Sequence, residues 1–305
     1  MKFTKMHGIG NDYIYVNCFE ENVSDPQKLS VVVSDVRKGI GSDGLVLIMP
    51  SDNADFRMRI FNADGSEAMM CGNATRCIGK YVYEKGLTDK TDITLETNSG
   101  IKILKLGISD GKVENITVDM GKAVLEPQNI PVKSNLSRFI NQPVEVCGKI
   151  YNMTCVSMGN PHAVIFVDDV DSLDLERTGT FFENHEIFPD RVNTEFIQVI
   201  DSHTLKMRVW ERGSGETFAC GTGACASAVS AVLNGICSHD EEILIHLRGG
   251  DLTIIYKSDG TVIMTGGAAF ICDGIIDDDY IKKMEENLCS CTESERKYKA
   301  IKTQI

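Results

Sequence analysis

The chain has 305 residues, 42% of them hydrophobic, and a formal charge of −13. That balance argues against a nucleic-acid partner, which needs clustered Lys and Arg, and no apolar run approaches the ~18 residues that cross a membrane as a helix. The length suits two domains of ordinary size, and the opening Met1-Lys2-Phe3-Thr4-Lys5-Met6-His7-Gly8 has no apolar core and no small-residue cleavage site, so a cytoplasmic protein is expected.

In chain order, His7-Gly8-Ile9-Gly10-Asn11 reads as a turn-forming loop that leads into a strand over 12–18, rich in aromatic and β-branched residues. Residues 27–36 are a weak helix candidate. The glycine-rich run Lys38-Gly39-Ile40-Gly41-Ser42-Asp43-Gly44 precedes an apolar strand over 45–49. It lacks the Gly-Lys-Ser/Thr of a P-loop, and it opens a strand where a dinucleotide fingerprint opens a helix. A strand over 56–61 and a turn over 62–66 follow. Cys71-Gly72-Asn73 then opens a helix whose apolar positions 74, 77, 78, 81 and 82 share one face, and Gly86 closes it. Strands are expected near 92–97, 101–107 and 113–120, and the segment 121–127 crosses between halves. The second half carries strands over 151–156 and 163–167 with Ser157-Met158-Gly159-Asn160-Pro161-His162 as the loop between them, then a strand over 205–210. The helix over 223–234 is small or apolar almost all round, so it belongs inside a wrapped sheet. Strands near 242–247, 251–256 and 261–265 follow, residues 270–276 return to the first domain, and a charged tail begins near 281.

The order repeats because the unit repeats. Shifted by 149 residues, Met58-Arg59-Ile60-Phe61 falls on Met207-Arg208-Val209-Trp210, Glu67 on Glu216, Cys71-Gly72 on Cys220-Gly221 and Gly86 on Gly235. Six of these 29 ungapped positions are identical, where average residue usage gives about two. The same shift places Gly10-Asn11 on Gly159-Asn160 and Gly44 on Asn193. Two copies of one unit tend to pack about a pseudo-two-fold axis, which sets two equivalent cysteines across a cleft.

Eleven cysteines is a high and odd count in a large chain, so a disulfide scaffold is not expected. The Cys and His spacings match no zinc pattern, and no metal is expected. Most of the thiols, Cys77, Cys225, Cys237 and Cys272 among them, read as small core residues. Cys71 and Cys220 differ: each stands at a helix N-terminus before a glycine, where free N–H groups favour a thiolate and bind a carboxylate. Two such helices aimed at one α-carboxylate would place a thiolate on one side of the α-carbon and a thiol on the other. That arrangement inverts a stereocentre by removing a proton on one face and delivering one to the other, the N–H donors stabilising the charge that develops. No pyridoxal phosphate is implied. Glu211 and His162 lie near the repeated loops and are candidates for tuning the thiols. Arg212 is either a bidentate partner for a second carboxylate or half of a surface pair with Glu211. Asn11, Asn62, Asn160 and Asn193 stand in turns, as head-group ligands or for backbone reasons, and His7 reads as a structural loop residue.

These strings resemble the diaminopimelate epimerases. The resemblance rests on Lys5-Met6-His7-Gly8-Ile9-Gly10-Asn11-Asp12, Phe61-Asn62-Ala63-Asp64-Gly65-Ser66, Met70-Cys71-Gly72-Asn73-Ala74-Thr75-Arg76-Cys77, Gly159-Asn160-Pro161-His162, Arg191-Val192-Asn193, Glu211-Arg212-Gly213 and Ala219-Cys220-Gly221-Thr222-Gly223-Ala224-Cys225, in order from residue 1 to about 276. It implies an α/β (α+β) fold of two pseudo-symmetric domains, each a curled, mostly antiparallel sheet around a central helix, with the active site between them. The domains would span 1–122 with 268–281 returning, and 123–267, with 282–305 a terminal helix or disordered tail. It implies cofactor-independent epimerisation of L,L- to meso-diaminopimelate, in lysine and cell-wall precursor biosynthesis, by a homodimer acting on a small amino acid. Cys71 and Cys220 would be the acid–base pair, and Gly72-Asn73 and Gly221-Thr222 would bind the reacting carboxylate. Asn11, Asn62, Asn160, Asn193, Glu211 and Arg212 would hold the substrate, with His162 and Glu211 tuning the thiols. Gly44 departs from members that carry Gln there. Proline racemases and hydroxyproline epimerases are the nearest competitor, but their first motif has Cys-Gly-His where this chain has Cys71-Gly72-Asn73. A cysteine hydrolase using Cys220 and His162 would need one cysteine and leave the repeat unexplained, and a redox switch closing Cys71 on Cys220 is expected to inactivate the pair, not to be the function.

Overall fold

The structure is a computed structural model and describes residues 1–286 and 288. The first half runs β1 (Lys2–Gly8), β2 (Asn11–Asn17), α1 (Pro26–Ser34), β3 (Gly44–Met49), β4 (Phe56–Asn62), β5 (Glu67–Ala68), α2 (Gly72–Glu84), β6 (Asp92–Thr97), β7 (Gly100–Ser109) and β8 (Lys112–Lys122). The second runs β9 (Gln142–Val146), β10 (Lys149–Ser157), β11 (Pro161–Phe166), α3 (Leu175–Glu183), β12 (Asn193–Asp201), β13 (Thr204–Glu211), β14 (Gly215–Thr217), α4 (Gly221–Leu233), β15 (Glu242–Leu247), β16 (Gly250–Tyr256) and β17 (Thr261–Gly266). A last strand, β18 (Ala269–Ile275), pairs antiparallel with β1, the return expected of residues 270–276.

Hydrogen-bonded neighbours give the order β18–β1–β2–β3–β4–β6–β7–β8 in the first half. The second half reads β9–β10–β11–β12–β13–β15–β16–β17. Within each half the same two ladders are parallel, β2–β3 and β4–β6 matching β11–β12 and β13–β15. Parallel neighbours need a crossover connection, usually a helix. Here α1 and α2 serve the first half, and α3 and α4 the second. An antiparallel ladder between β8 and β17 joins the halves.

The register of 149 holds far beyond the identical residues. It carries α1 onto α3 and α2 onto α4 end for end. Both outer helices start at an aspartate, Asp25 and Asp174, whose side chain accepts the N–H three residues on at 3.2 Å. Both inner helices stop at a positive-φ glycine, Gly86 at 74° and Gly235 at 71°. There the N–H groups of Leu87 and Ile236 close back on the carbonyls of Val82 and Ala231, each at 2.9 Å. Only glycine takes that backbone without steric cost.

One apolar core surrounds α2 and α4 and runs through both halves, built from residues such as Ile78, Val82, Ala228 and Val229. The helix expected to be buried on all sides is so: Gly223 through Ala231 are shielded in unbroken succession. Smaller cores lie under α1 and α3. No described helix is long and apolar enough to cross a membrane.

Several elements escape the sequence reading. Strand β1 alternates buried and less buried residues where only a loop at His7 was expected. Helix α3 carries Gly179 in its middle, where a Cβ would stand 2.2 Å from Trp210; the glycine lets the helix lie against that ring. Strands β9 and β12 also appear. His162 is not in a loop: Pro161 begins β11, and His162 is fully buried beside Asn193 in the parallel ladder with β12. Cys77, Cys225 and Cys237 are buried as expected, but Cys272 is exposed on the outer strand β18. Residues 278–286 are helical, and the rest of the tail expected over 282–305, apart from residue 288, lies outside the described residues.

Asp25→Ala and Asp174→Ala should each cost about 1 kcal/mol in urea unfolding, the usual value of an N-cap. The caps sit in different halves, so the double variant should lose the sum within about 0.5 kcal/mol.

Candidate active site

Cys71 and Cys220 are the N-cap residues of α2 and α4. Both line one cavity of about 440 Å³, together with Gly72, Asn73, Gly221 and Thr222 from the two helix starts. Asn11, Asn62, Asn160, Glu211 and Arg212 complete the expected residues on its wall. A second cavity of about 720 Å³ shares Asn11, Asn62, Glu211, Arg212 and Ala219 with it, so the cleft is long and has two ends.

The thiol of Cys71 donates to Asn11 Oδ1 at 3.5 Å, and Asn73 Nδ2 reaches the same oxygen at 3.3 Å. Asn73 also donates to the carbonyl of Ala219 at 3.4 Å, which ties one cysteine loop to the other. Across the cleft, Cys220 Sγ accepts the N–H of Gly223 at 3.3 Å and lies 3.5 Å from Thr222 Oγ1. Asn160 Nδ2 bonds Thr222 Oγ1 at 3.3 Å, and Asn160 Oδ1 meets His162 Nε2 at 3.1 Å. His162 Nδ1 lies 2.7 Å from Glu195 Oε1, with both side chains fully buried. Asn11 is repeat-related to Asn160 and Asn73 to Thr222, so the same pair of positions bonds side chain to side chain beside each thiol, although Cys71 itself meets Asn11 and Cys220 meets Thr222.

Burial pushes the Cys71 thiol above its usual range, while the N–H groups of Ala74 and Asn73 and the Arg76 guanidinium pull it back. Burial pushes Cys220 well up, and the nearby carboxylates of Glu211 and Glu195 add to it. The helix N-termini therefore act in the expected direction, but loss of water outweighs them. Glu211 is itself raised, first by burial and then by Glu195, against the hydrogen bond from Thr217. Burial drives Cys77 and Cys225 to about 12, as inert core thiols.

Two expected residues stand behind the cavity wall. Asn193 is buried, and its Oδ1 accepts the backbone N–H of Arg212 at 2.8 Å, so it shapes the Glu211–Arg212 turn. His162 reaches the cleft only through Asn160. The Arg212 guanidinium bonds the carbonyl of Asp190 at 2.8 Å and does not pair with Glu211 among the described residues. His7 accepts the Gly10 N–H at 3.1 Å, the structural part expected of it. At Gly44 a Cβ would stand 2.0 Å from the Phe61 carbonyl oxygen, so a side chain there requires the strands to shift. The ligand atoms of His162, Glu195 and Cys220 lie within 4.8 Å of one another, close enough for a metal. Both imidazole nitrogens are engaged, however, with Glu195 and Asn160.

Sequence reasoning passed over Glu195, Asp43, Arg76 and Tyr13, the last of which lines both cavities. Glu195 carried a signal, an acid directly before the apolar Phe196-Ile197 in a buried strand. Asp43 and Arg76 lay inside strings already singled out, the glycine-rich loop and the first cysteine motif.

Solved structures share this architecture. A hydroxyproline epimerase from Agrobacterium vitis superposes with a TM-score of 0.67 at 14% identity, over 90% of this chain and 91% of that one. A probable proline racemase from Agrobacterium radiobacter gives 0.68 at 13% identity, over 93% and 95%. The fold is thus the one these racemases and epimerases share. The family model for diaminopimelate epimerase matches residues 3–126 and 154–271. The chain is 57% identical over 278 residues to a diaminopimelate epimerase from Acetivibrio thermocellus, spanning 91% of this chain and 99% of that one. It is 53% identical over 278 residues to one from Methanococcus maripaludis, over 91% and 100%. The chain belongs to the diaminopimelate epimerase family.

The raised Glu211 sets a stability prediction with a definite sign. A carboxyl that holds its proton more tightly when folded loses stability as pH rises through its unfolded and then its folded value. Glu211→Gln should therefore unfold at a higher temperature than the parent at pH 7, and the difference should vanish near pH 4, where both forms are neutral.

Proposed function

We propose that the chain interconverts L,L- and meso-diaminopimelate with Cys71 and Cys220 as its two acid–base groups and with no cofactor. One observation carries the reading: two repeat-related thiols cap two helices at the wall of a single cleft. The reacting α-carboxylate takes the N–H groups of Gly72, Asn73, Gly221 and Thr222, whose fixed donors stabilise the negative charge that grows as the α-proton leaves. The α-ammonium brings a positive charge beside the sulfurs, which opposes the burial that otherwise keeps them protonated. The thiolate on one face takes the α-proton, the thiol on the other delivers its own, and the pair ends with the roles exchanged. Asn11, Asn62 and Asn160 hold the head group, and His162 and Glu211 tune Cys220. Asn193 supports Arg212 from behind, and Arg212 meets the second carboxylate at the far end of the cleft.

That far end favours a long dicarboxylate over proline. A compact monocarboxylate fills one end and leaves Arg212 without a partner, and Asn73 stands where proline racemases carry His. The division into 1–122 with 268–281, and 123–267, follows the two strand orders. A homodimer belongs to the same reading: the outer edge of β18 has no strand partner among the described residues and exposes Ile271 and Ile275. Membership in lysine and cell-wall precursor synthesis, and a cytoplasmic location, follow from the substrate.

In deuterated water the reduced enzyme should erase one α-proton signal of L,L-diaminopimelate as the meso isomer appears by NMR. Cys71→Ala and Cys220→Ala should each lower kcat on the order of 10²–10⁴-fold. Exchange of L-proline with diaminopimelate untouched would move the substrate assignment to the racemases, and turnover by either single-cysteine variant at the parent rate would remove the two-thiol mechanism.

A further inference from the structure

Arg76 lies on α2 just inside the cysteine cap and is fully buried. No carboxylate pairs with it among the described residues. Its guanidinium bonds Asn73 Oδ1 at 2.9 Å, the Gly267 carbonyl at 3.2 Å, the Gly72 carbonyl at 3.3 Å and Met264 Sδ at 3.6 Å. A buried cation matched only to neutral acceptors is a poor source of stability. What it does set is direction. A guanidinium can only donate, so Asn73 must turn its oxygen toward Arg76 and its NH₂ toward the cleft. That NH₂ then donates to Asn11 Oδ1 at 3.3 Å. At the other end, the Asp43 carboxylate can only accept, and it takes Asn11 Nδ2 at 2.7 Å and the Asp12 N–H at 3.0 Å. Asn11 is thereby left with its oxygen facing Asn73 and the Cys71 thiol.

The donors run one way, from Arg76 through Asn73 and Asn11 to Asp43. Neither amide can flip without setting donor against donor or acceptor against acceptor. We infer that Arg76 and Asp43 are positioning residues, fixing from opposite ends the orientation of the Asn73 and Asn11 amides so that Asn11 Oδ1 is the acceptor for Cys71. The inference rests on the reading of Cys71, Asn11 and Asn73 as site residues. Neither Arg76 nor Asp43 need touch the reacting carbon.

The test compares Asp43→Ala, Arg76→Gln and the double variant with the parent chain. Asp43 is exposed at the rim of the cleft and its backbone bonds to Asp12 and Ala63 do not need the side chain, so this variant stays folded even if Arg76→Gln does not. Alanine at 43 removes the acceptor that holds Asn11 Nδ2, and glutamine at 76 can accept as well as donate, so it no longer dictates the Asn73 amide. Asp43→Ala should lower kcat/KM for α-proton exchange about tenfold, the size of one lost charge-assisted hydrogen bond. Either end left in place still opposes a flip, so the double variant should lose more than the product of the single losses; independent sites would only multiply them.

A second readout needs no substrate. Rates of alkylation by iodoacetamide, resolved by cysteine in the mass spectrometer, should rise several-fold at Cys71 in Asp43→Ala, rise further in the double variant and stay constant at Cys220, because an NH₂ free to face the sulfur favours the thiolate. Asp12→Asn removes a neighbouring charge without touching either amide, and should leave the Cys71 rate within about twofold. An unchanged Cys71 rate in Asp43→Ala, an equal rise in Asp12→Asn, or a loss in the double variant no greater than the product of the single losses would each overturn the inference. A parent chain inactive on diaminopimelate would instead overturn the proposed substrate, and the alkylation rates would still decide the network.

Discussion

An α-helix begins with backbone N–H groups that its own turns cannot satisfy. This fold buries two such beginnings and points both at one cleft, and most of its features answer to that constraint. The caps are thiols, which are small enough to sit at the mouth of a helix. The residue after each cap is glycine; at Gly72 a Cβ would stand 2.8 Å from Met264 Cε, and at Gly221 it would stand 3.3 Å from Met264 Sδ. One methionine thus packs beneath both helix starts and holds them close. Curling a sheet around each helix excludes water, which strengthens the field of the N–H groups and also makes each thiolate harder to form. The site is poised between these effects.

The two halves are alike in backbone and unlike in charge. Asn73 answers to Thr222 and Asn11 to Asn160, but Arg76 and the helix N–H groups dominate around Cys71, while Glu195 and Glu211 crowd Cys220. A symmetric scaffold therefore presents two chemically distinct faces. That suits a substrate whose reacting carbon carries different groups on its two sides, and it separates the behaviour of the two thiols before any ligand arrives.

Much of this was legible in the chain. The cysteine motifs, the starts and stops of α2 and α4, and the return of the last strand all follow from local chemistry with a strong signature: a helix cap, a terminating glycine, a period in the apolar residues. The correspondence of α1 and α3 was not, because Pro26–Ser34 and Leu175–Glu183 share no residue at equivalent positions. What survives there is one capping aspartate and a backbone path, and neither shows in a comparison of residue types. His162 looked like a loop residue because Asn160-Pro161 is a turn signal, yet proline is also tolerated as the first residue of a strand. Asp43 and Arg76 were hidden for another reason. Their bonds to the Asn11 and Asn73 amides exist only once the chain has folded.

The seam between β8 and β17 has a mechanical consequence. The chain passes between the halves twice. It crosses once just after Lys122, which pairs with Thr261 at one end of the seam, and once just after Gly266, which pairs with Ile116 at the other. Each end of the ladder is therefore tethered by a covalent crossing. Sliding one half past the other, or drawing them straight apart, strains both tethers at once. Turning about the line of the ladder strains neither. The molecule is built like a book whose spine is stitched at both ends, with the shared core around α2 and α4 and the Asn73–Ala219 bond holding its two leaves together.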